Sequence, residues 1–332
     1  MDVATDDRWA LNHSVYVPGQ HGGHYESFYQ RANHPTRPLA FWIRYTIFAP
    51  RGRPADAIGE VWAVLFDGET GQHTVGKVEL PMSECDFARD TFAVRAGDAA
   101  LGPDALVGSA GTVSWDLTYG GDAPPLLLFP DRMYRTGFPK AKSLVALPAA
   151  RFAGTVRAGD RVVDVDGWSG SQCHNWGSRH TDRYAFVQVM GFDGEPDTLL
   201  EAGTAKASLI GPLTTPWTTF VVLRHRGVDY RLSKLEQALR ATGSYRWFDW
   251  TFSSGDADVE IEGHVHAPRE AFVALRYRNP PGGEKYCVNT KIGTAEITLT
   301  DRGGARTVLR TGSRALFEIL TDDLEHGVAI RA

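Results

Sequence analysis

Cysteine is scarce in this chain: three residues in 332, Cys85, Cys173 and Cys287, an odd number with no CxxC spacing. That excludes a disulfide framework and a cysteine-based zinc site, and fits reduced, mostly buried thiols. Lysine is scarce too: 7 of the 35 basic residues are Lys and 28 are Arg, scattered along a chain of net charge −5. No basic stripe is available to track a nucleic-acid backbone, so nucleic acid is not an expected partner. Gly, Pro or charge interrupts every apolar run well short of the roughly 18 residues that a membrane-spanning helix needs. The first twenty residues, MDVATDDRWALNHSVYVPGQ, have neither the basic start nor the apolar stretch of a signal peptide, which makes the cytoplasm the expected location. GxGxxG between strand and helix, a Walker lysine and a GxSxG elbow are missing as well, so no nucleotide cofactor and no serine-hydrolase chemistry is expected.

Aromatic residues, by contrast, are abundant: 9 Trp, 11 Tyr and 16 Phe. They recur in short runs of alternating polarity closed by Gly, Pro, Asp or Asn, the pattern of antiparallel strands. The clearest runs are FWIRYTIF from Phe41, TVSWDLTY from Thr112, RYAFVQVMGF from Arg183, TTFVVLRH from Thr218 and AFVALRYR from Ala271. About ten such runs predict an all-β protein larger than one small sandwich. The exception is SKLEQALRATG from Ser233, where Ser233 and Glu236 have capping-box spacing, Leu235, Ala238 and Leu239 share a face, and Gly243 closes a short helix. The Gly/Ser-rich stretch Gly167–Asp182 reads as a turn-rich seam, and divides the chain into expected domains 1–178 and 179–332. No internal repeat is visible at a fixed period.

Parity along a strand assigns side chains to faces. In TLLEAGTAKA from Thr198, Glu201 shares a face with Leu199, Gly203, Ala205 and Ala207, so it is expected to point inward. A carboxyl among such neighbours has a raised pKa and can donate a proton; the alternative is a structural ion pair with a residue such as Arg224. Tyr184, Phe186, Gln188 and Met190 share a face that suits a cavity wall or, equally, an ordinary core. Asp116 falls opposite Trp115 and Leu117 and reads as solvent-facing. His264 and His266, with Glu260 and Glu262, lie on one face, but lack a third His or Cys at suitable spacing, and no metal site is assigned.

At QCHNWG, Gln172–Gly177, followed by RYAFVQV and LLEAGTAKA, the sequence resembles the family that includes tocopherol cyclase, bacterial carotenoid hydratase (hydroxyneurosporene synthase) and related lipocalin-like proteins. HYESFYQRANHP from His24, SWDLTY from Ser114 and YCVNTKIG from Tyr286 extend the match over most of the chain. The resemblance implies two successive lipocalin-like (calycin) β domains with a ligand cavity in or between them. It also implies chemistry without a redox cofactor: protonation of an alkene followed by cyclisation or hydration, with pericyclic cyclisation on similar architectures. The His and Trp of the hydratase motif match His174 and Trp176, flanking Asn175, and the later acid matches Glu201. The hydratases carry Asp there and this chain carries Glu.

Adding a proton to an alkene requires an acid in a dry cavity and electron-rich faces around the developing cation. Glu201 is the expected acid, with His174 orienting or reprotonating it. Trp176, Tyr184 and Phe186 are the expected cation-stabilising rings. Asn175, Gln188 or Tyr45 would hydrogen-bond a substrate carbonyl if the reaction is pericyclic. The alternative for HNWG is a structural linker anchored by Trp176. The leading expectation is therefore a cofactor-independent enzyme acting on a hydrophobic small molecule. The others are a non-catalytic carrier of an apolar lipid or pigment, and a structural module.

Overall fold

The computed structural model describes residues 8–207 and 214–332. A 3-10 turn, Arg8–Asn12, precedes the first sheet. That sheet comprises β1 (His24–Asn33), β2 (Leu39–Ala49), β3 (Ile58–Asp67), β4 (Thr74–Pro81), β5 (Cys85–Phe87), β6 (Val94–Ala96), β7 (Ala99–Leu101), β8 (Ala105–Ala110), β9 (Val113–Gly120), β10 (Leu126–Leu127), β11 (Ala141–Ala158) and β12 (Arg161–Gly177). The second comprises β13 (Arg183–Phe192), β14 (Glu195–Lys206), β15 (Thr218–His225), β16 (Val228–Leu232), β17 (Thr242–Arg246), β18 (Asp249–Gly255), β19 (Val259–His266), β20 (Val273–Arg278), β21 (Glu284–Asp301) and β22 (Arg306–Thr321). Two short α-helices, α1 (Asp131–Tyr134) and α2 (Leu235–Arg240), and three further 3-10 turns (Pro54–Asp56, Met82–Glu84 and Arg269–Ala271) complete the described elements. No helix among the described residues is long and apolar enough to cross a membrane.

The strand orders reveal a repeat that the sequence hides. The first sheet runs β4-β3-β2-β1-β12-β11-β9-β8 and on to β5, with β10 beside β11. The second runs β16-β15-β14-β13-β22-β21-β19-β18-β17, with β20 beside β21. A four-stranded meander thus pairs its first strand with the last strand of its own half, twice over. Each sheet also curls back on itself. An added Cβ on Gly76 of β4 would come within 1.8 Å of Ala110 O at the end of β8, and one on Gly243 of β17 within 2.0 Å of Thr204 Oγ1 on β14. Only glycine permits those approaches.

Alternation places one core inside each curled sheet. Phe41, Ile43, Tyr45 and Ile47 of β2 join Trp115, Phe152 and Trp168 in the first. Val187, Ala202, Val221, Trp250, Ile261 and Phe317 fill the second, where Trp250 Nε1 donates to Thr204 Oγ1 (3.1 Å). β1 and β2 are buried along their whole length on both faces. Their alternate residues, including Tyr29, Ala40 and Trp42, pack against the second half, which explains why FWIRYTIF reads as a continuous run. β9 and β19 alternate buried and exposed, as one-sided strands do, and Asp116 is exposed.

Two local expectations are corrected. The stretch from Gly167 is strand as far as Gly177, pairing with β1 and β11, so the connection between sheets is confined to Ser178–Asp182. The helix begins at Leu235 after Lys234, whose N–H donates to Gln237 Oε1 (3.0 Å), one residue later than the Ser233–Glu236 spacing implies. Only Ala238 of its apolar residues is buried; Leu235 and Leu239 are exposed.

Candidate functional site

Between the outer faces of the two curled sheets lies a cavity of about 150 Å³. The first sheet contributes Tyr25, Tyr29, Trp42, Arg44, Ser143 and Asn175, and the second Tyr184, Phe186, Gly203, Ala205, Phe220 and Glu318. Tyr184 and Phe186 take part because β13 pairs with β14 in a register that sets Tyr184 opposite Ala205 and Phe186 opposite Gly203. Small residues on β14 thus leave space in front of the β13 rings. Asn175 reaches the cavity from β12 and accepts a hydrogen bond at Oδ1 from Ser143 Oγ (2.9 Å).

Past Gly203, the next residue on that face is Glu201, fully buried and paired in register with Gln188. Neither carboxyl oxygen has a hydrogen-bond partner among the described residues. Burial pushes its pKa up to about 8; the Gln188 amide, near but outside hydrogen-bond geometry, and the Arg31 charge pull it back only in part. Gln188 is otherwise engaged. Its Oε1 accepts from Arg31 Nε (3.0 Å) and Ser171 Oγ (2.7 Å), and its Nε2 faces Cys173 Sγ (3.5 Å). Arg31 also donates to Gln188 O (3.0 Å), and Asn33 Nδ2 donates to Lys291 O (2.6 Å), so buried side chains tie the sheets together beside the cavity. Parity therefore places Glu201, Gln188, Tyr184 and Phe186 on one face. That face is buried against the other half of the chain instead of inside its own sheet. Arg224 is not the partner of Glu201: it binds Asp229 (2.6 Å) and the carbonyl of Pro124 (2.7 Å).

His174 does not meet Glu201. It lies on the opposite face of β12, with Nε2 2.8 Å from Glu26 Oε1 and Nδ1 2.7 Å from Leu11 O. Both ring nitrogens are committed and the ring stacks on Phe28 (4.3 Å), so the expectation that it orients Glu201 is corrected. Glu26 also accepts from Ser14 Oγ, from the N–H groups of Val15 and Tyr16, and from His24 Nε2. Burial alone would raise the Glu26 pKa, but His174 and His24 outweigh that and hold it at about 2. The pair fastens the N-terminal segment to the sheet. Trp176 packs under that segment with Leu11, Leu127 and Tyr134, away from the cavity. Tyr45 points into the first core, donating to Ala100 O (2.9 Å) and accepting from Trp115 Nε1 (3.2 Å), so neither ring is placed to touch a cavity ligand. His264 pairs on the surface with Asp249 (2.8 Å).

Several lining groups escaped sequence reasoning. Glu318 is held by Lys291 Nζ (2.7 Å) and by the Tyr184 hydroxyl (3.3 Å). Lys291 is fully buried, with Nζ 5.2 Å from the Trp42 ring. Arg44, Lys142, His180 and Tyr277 complete the polar lining. Arg44 in FWIRYTIF and Glu318 in RALFEIL are single charges inside apolar runs, a usable signal for a buried functional group.

A family model described as tocopherol cyclase-like matches residues 142–319, more than half of the chain. The chain belongs to the tocopherol cyclase-like family. The matched segment runs from Lys142 in the cavity wall to Ile319 beside Glu318, and includes Glu201. An uncharacterised protein of Mycobacterium tuberculosis is 27% identical over 315 residues, 93% of this chain and 91% of its own. Among solved structures, kievitone hydratase from Nectria haematococca superposes with TM-score 0.57 at 10% identity, covering 98% of this chain and 95% of its own. CghA bound to Sch210972 superposes with TM-score 0.52 at 12% identity, covering 96% of each chain. At these identities the structural likeness establishes the shared two-sheet fold of this tocopherol cyclase-like protein.

Proposed function

We propose that this protein is an enzyme that folds and transforms a hydrophobic, polyunsaturated small molecule in the inter-sheet cavity, by cyclisation, isomerisation or hydration. The observation that carries the reading is the buried, unpartnered Glu201 on the same strand face as the aromatic cavity wall. With a pKa near 8, its carboxyl keeps its proton at neutral pH and has an acid strength matched to proton transfer there. Glu201 itself does not line the cavity, so that transfer requires a ligand that reaches past Gly203 towards it. The Glu201 O–H proton passes to an alkene carbon, the π electrons form the new C–H bond, and a carbocation remains. Trp42, Tyr184 and Phe186 offer ring faces to that cation, each worth on the order of 0.5–2 kcal/mol, while Arg31 favours the carboxylate left behind. Attack by a second alkene or an internal nucleophile gives cyclisation, attack by water gives hydration, and direct loss of a neighbouring proton gives isomerisation; in each case the Glu201 carboxylate takes back one proton from the resulting cation or oxonium. None of these routes moves electrons to or from a redox group. The family membership and the hydratase among the structural relatives favour this class.

Accurate-mass analysis of molecules extracted from the freshly purified protein identifies the candidate substrate class, and incubation with its unsaturated precursor tests turnover. Glu201→Gln is expected to bind that precursor while turning it over about 10²–10⁴-fold more slowly. Unchanged turnover by a folded Glu201→Gln protein would show the acid assignment to be wrong. Release of every bound molecule unaltered by the wild type would make the protein a carrier.

A further inference from the structure

Arg44 is the unexplained charge of the cavity wall. Its residue is 6% exposed, its guanidinium sits 4.5 Å from the Tyr277 ring and 5.9 Å from Trp42, and Nε has no hydrogen-bond partner. A guanidinium has five N–H donors, and no acceptor takes any of them among the described residues. The two carboxylates whose fields reach it are committed elsewhere. Glu60 binds Lys77 (3.2 Å) and Trp62 Nε1 (3.2 Å), and Glu318 binds Lys291 (2.7 Å). Burial alone would lower the Arg44 pKa, but those surrounding fields raise it, so the guanidinium stays charged while its Nε meets no acceptor.

Lys142 is not a second partner there: register sets it opposite Trp176, on the face of β11 away from Ser143 and Asn175, and its ammonium donates to Pro139 O (2.9 Å). His180, stacked on Tyr25 (4.0 Å), adds no charge: burial and the fields of Arg44 and Lys285 push its pKa down to about 3. The charge facing the cavity is therefore the Arg44 cation and one carboxylate, Glu318, already neutralised by Lys291.

We propose that the cavity takes an amphipathic acid, with an apolar aromatic or polyunsaturated body against Phe186 and Phe220 and a carboxylate or acidic enolate bound by Arg44. This assignment rests on the cavity reading above and specifies its substrate class. The planar fork of Arg44, 4.5 Å from the Tyr277 ring, has paired N–H groups of the kind that two oxygens of one anion accept. The anion fixes one end of the ligand, and its apolar chain then extends along β13 and β14.

Isothermal titration calorimetry of the full chain with 2-naphthoate and its uncharged analogue 2-naphthamide tests this. Naphthoate is expected to bind about tenfold to hundredfold more tightly, the worth of a hydrogen bond to a charged group. Arg44→Met should bring the two probes within about threefold, Arg44→Lys should keep part of the preference, and Gly203→Phe should abolish binding of both. Equal binding of the two probes, or tighter binding of the amide, overturns the acid assignment and leaves the cavity reading standing. No binding of either, or binding that survives Gly203→Phe, overturns both. The wild-type comparison decides the matter even if the Arg44 variants fail to fold.

Discussion

Replacing Glu201 by Gln should shift the stability curve by a constant and remove part of its dependence on pH. The folded pKa of about 8 lies above the ordinary carboxyl value of 4.5, so the folded state holds this proton over a window in which the unfolded chain has lost it. Stability from this group is therefore full below pH 4.5 and declines as pH rises towards 8. One unit of pKa difference is worth about 1.4 kcal/mol. The loss thus reaches about 3 kcal/mol at pH 7 and about 5 kcal/mol above pH 8. An amide cannot ionise, so Glu201→Gln loses none of this. It carries instead a pH-independent cost of about 1–3 kcal/mol for burying an unpaired amide. Equilibrium urea unfolding of both proteins at pH 4.5, 6, 7 and 8 isolates the effect, because every other titrating group is common to the two and cancels. The variant should gain about 3 kcal/mol relative to wild type between pH 4.5 and 7. A difference constant to within about 0.5 kcal/mol across that range would refute the desolvated-carboxyl argument, and the acid mechanism with it.

The second buried carboxyl behaves in the opposite sense. Glu26→Gln should cost about 3–5 kcal/mol at pH 7 by removing the carboxylate charge and one of the two oxygens that His174, His24, Ser14 and the Val15 and Tyr16 N–H groups share. Because the folded pKa of Glu26 is lowered to about 2, that deficit should shrink as pH falls from 4.5 towards 2 in calorimetric melts. Limited proteolysis should then cut the variant between Leu11 and Tyr16, where wild type resists. Cys85, half-buried, should be the one thiol that reacts with a disulfide reagent in the native protein. Cys173, raised to about 11 by burial, and Cys287, also raised, should react only after unfolding, giving three equivalents in denaturant. Gly203→Ala should be tolerated, since its Cβ would meet Phe186 Cδ2 at 3.6 Å, and melt within about 1 kcal/mol of wild type.

Much of the fold was legible because alternation is a local property. TVSWDLTY and DVEIEGHVH each show one wet face, and the β13 and β14 runs group Tyr184, Phe186, Gln188 and Glu201 on one face. Alternation cannot say what covers a face. For Glu201 it is the first sheet, through Arg31 and Tyr29, residues some 170 positions earlier in the chain. The His174 partner was illegible for the same reason. Register pairs Phe28 with His174 and Glu26 with Trp176, a juxtaposition of strands 148 residues apart that no local pattern encodes. Within HNW itself the period of two separates Asn175 from its neighbours: Asn175 lines the cavity while His174 and Trp176 hold the N-terminal segment. Reading the motif as a single cluster treated two faces as one.

The cavity is walled by the alternate residues of strands whose other residues fill the two cores. Tyr184 and Phe186 alternate with Ala185 and Val187, and Arg44 with Ile43 and Tyr45. Side chains can be exchanged on the lining set while the packing set stays untouched, so ligand choice and reaction type are free to diverge at little risk to folding. The same scaffold persisting at 10–14% identity among solved structures is what such a division of labour within each strand would produce.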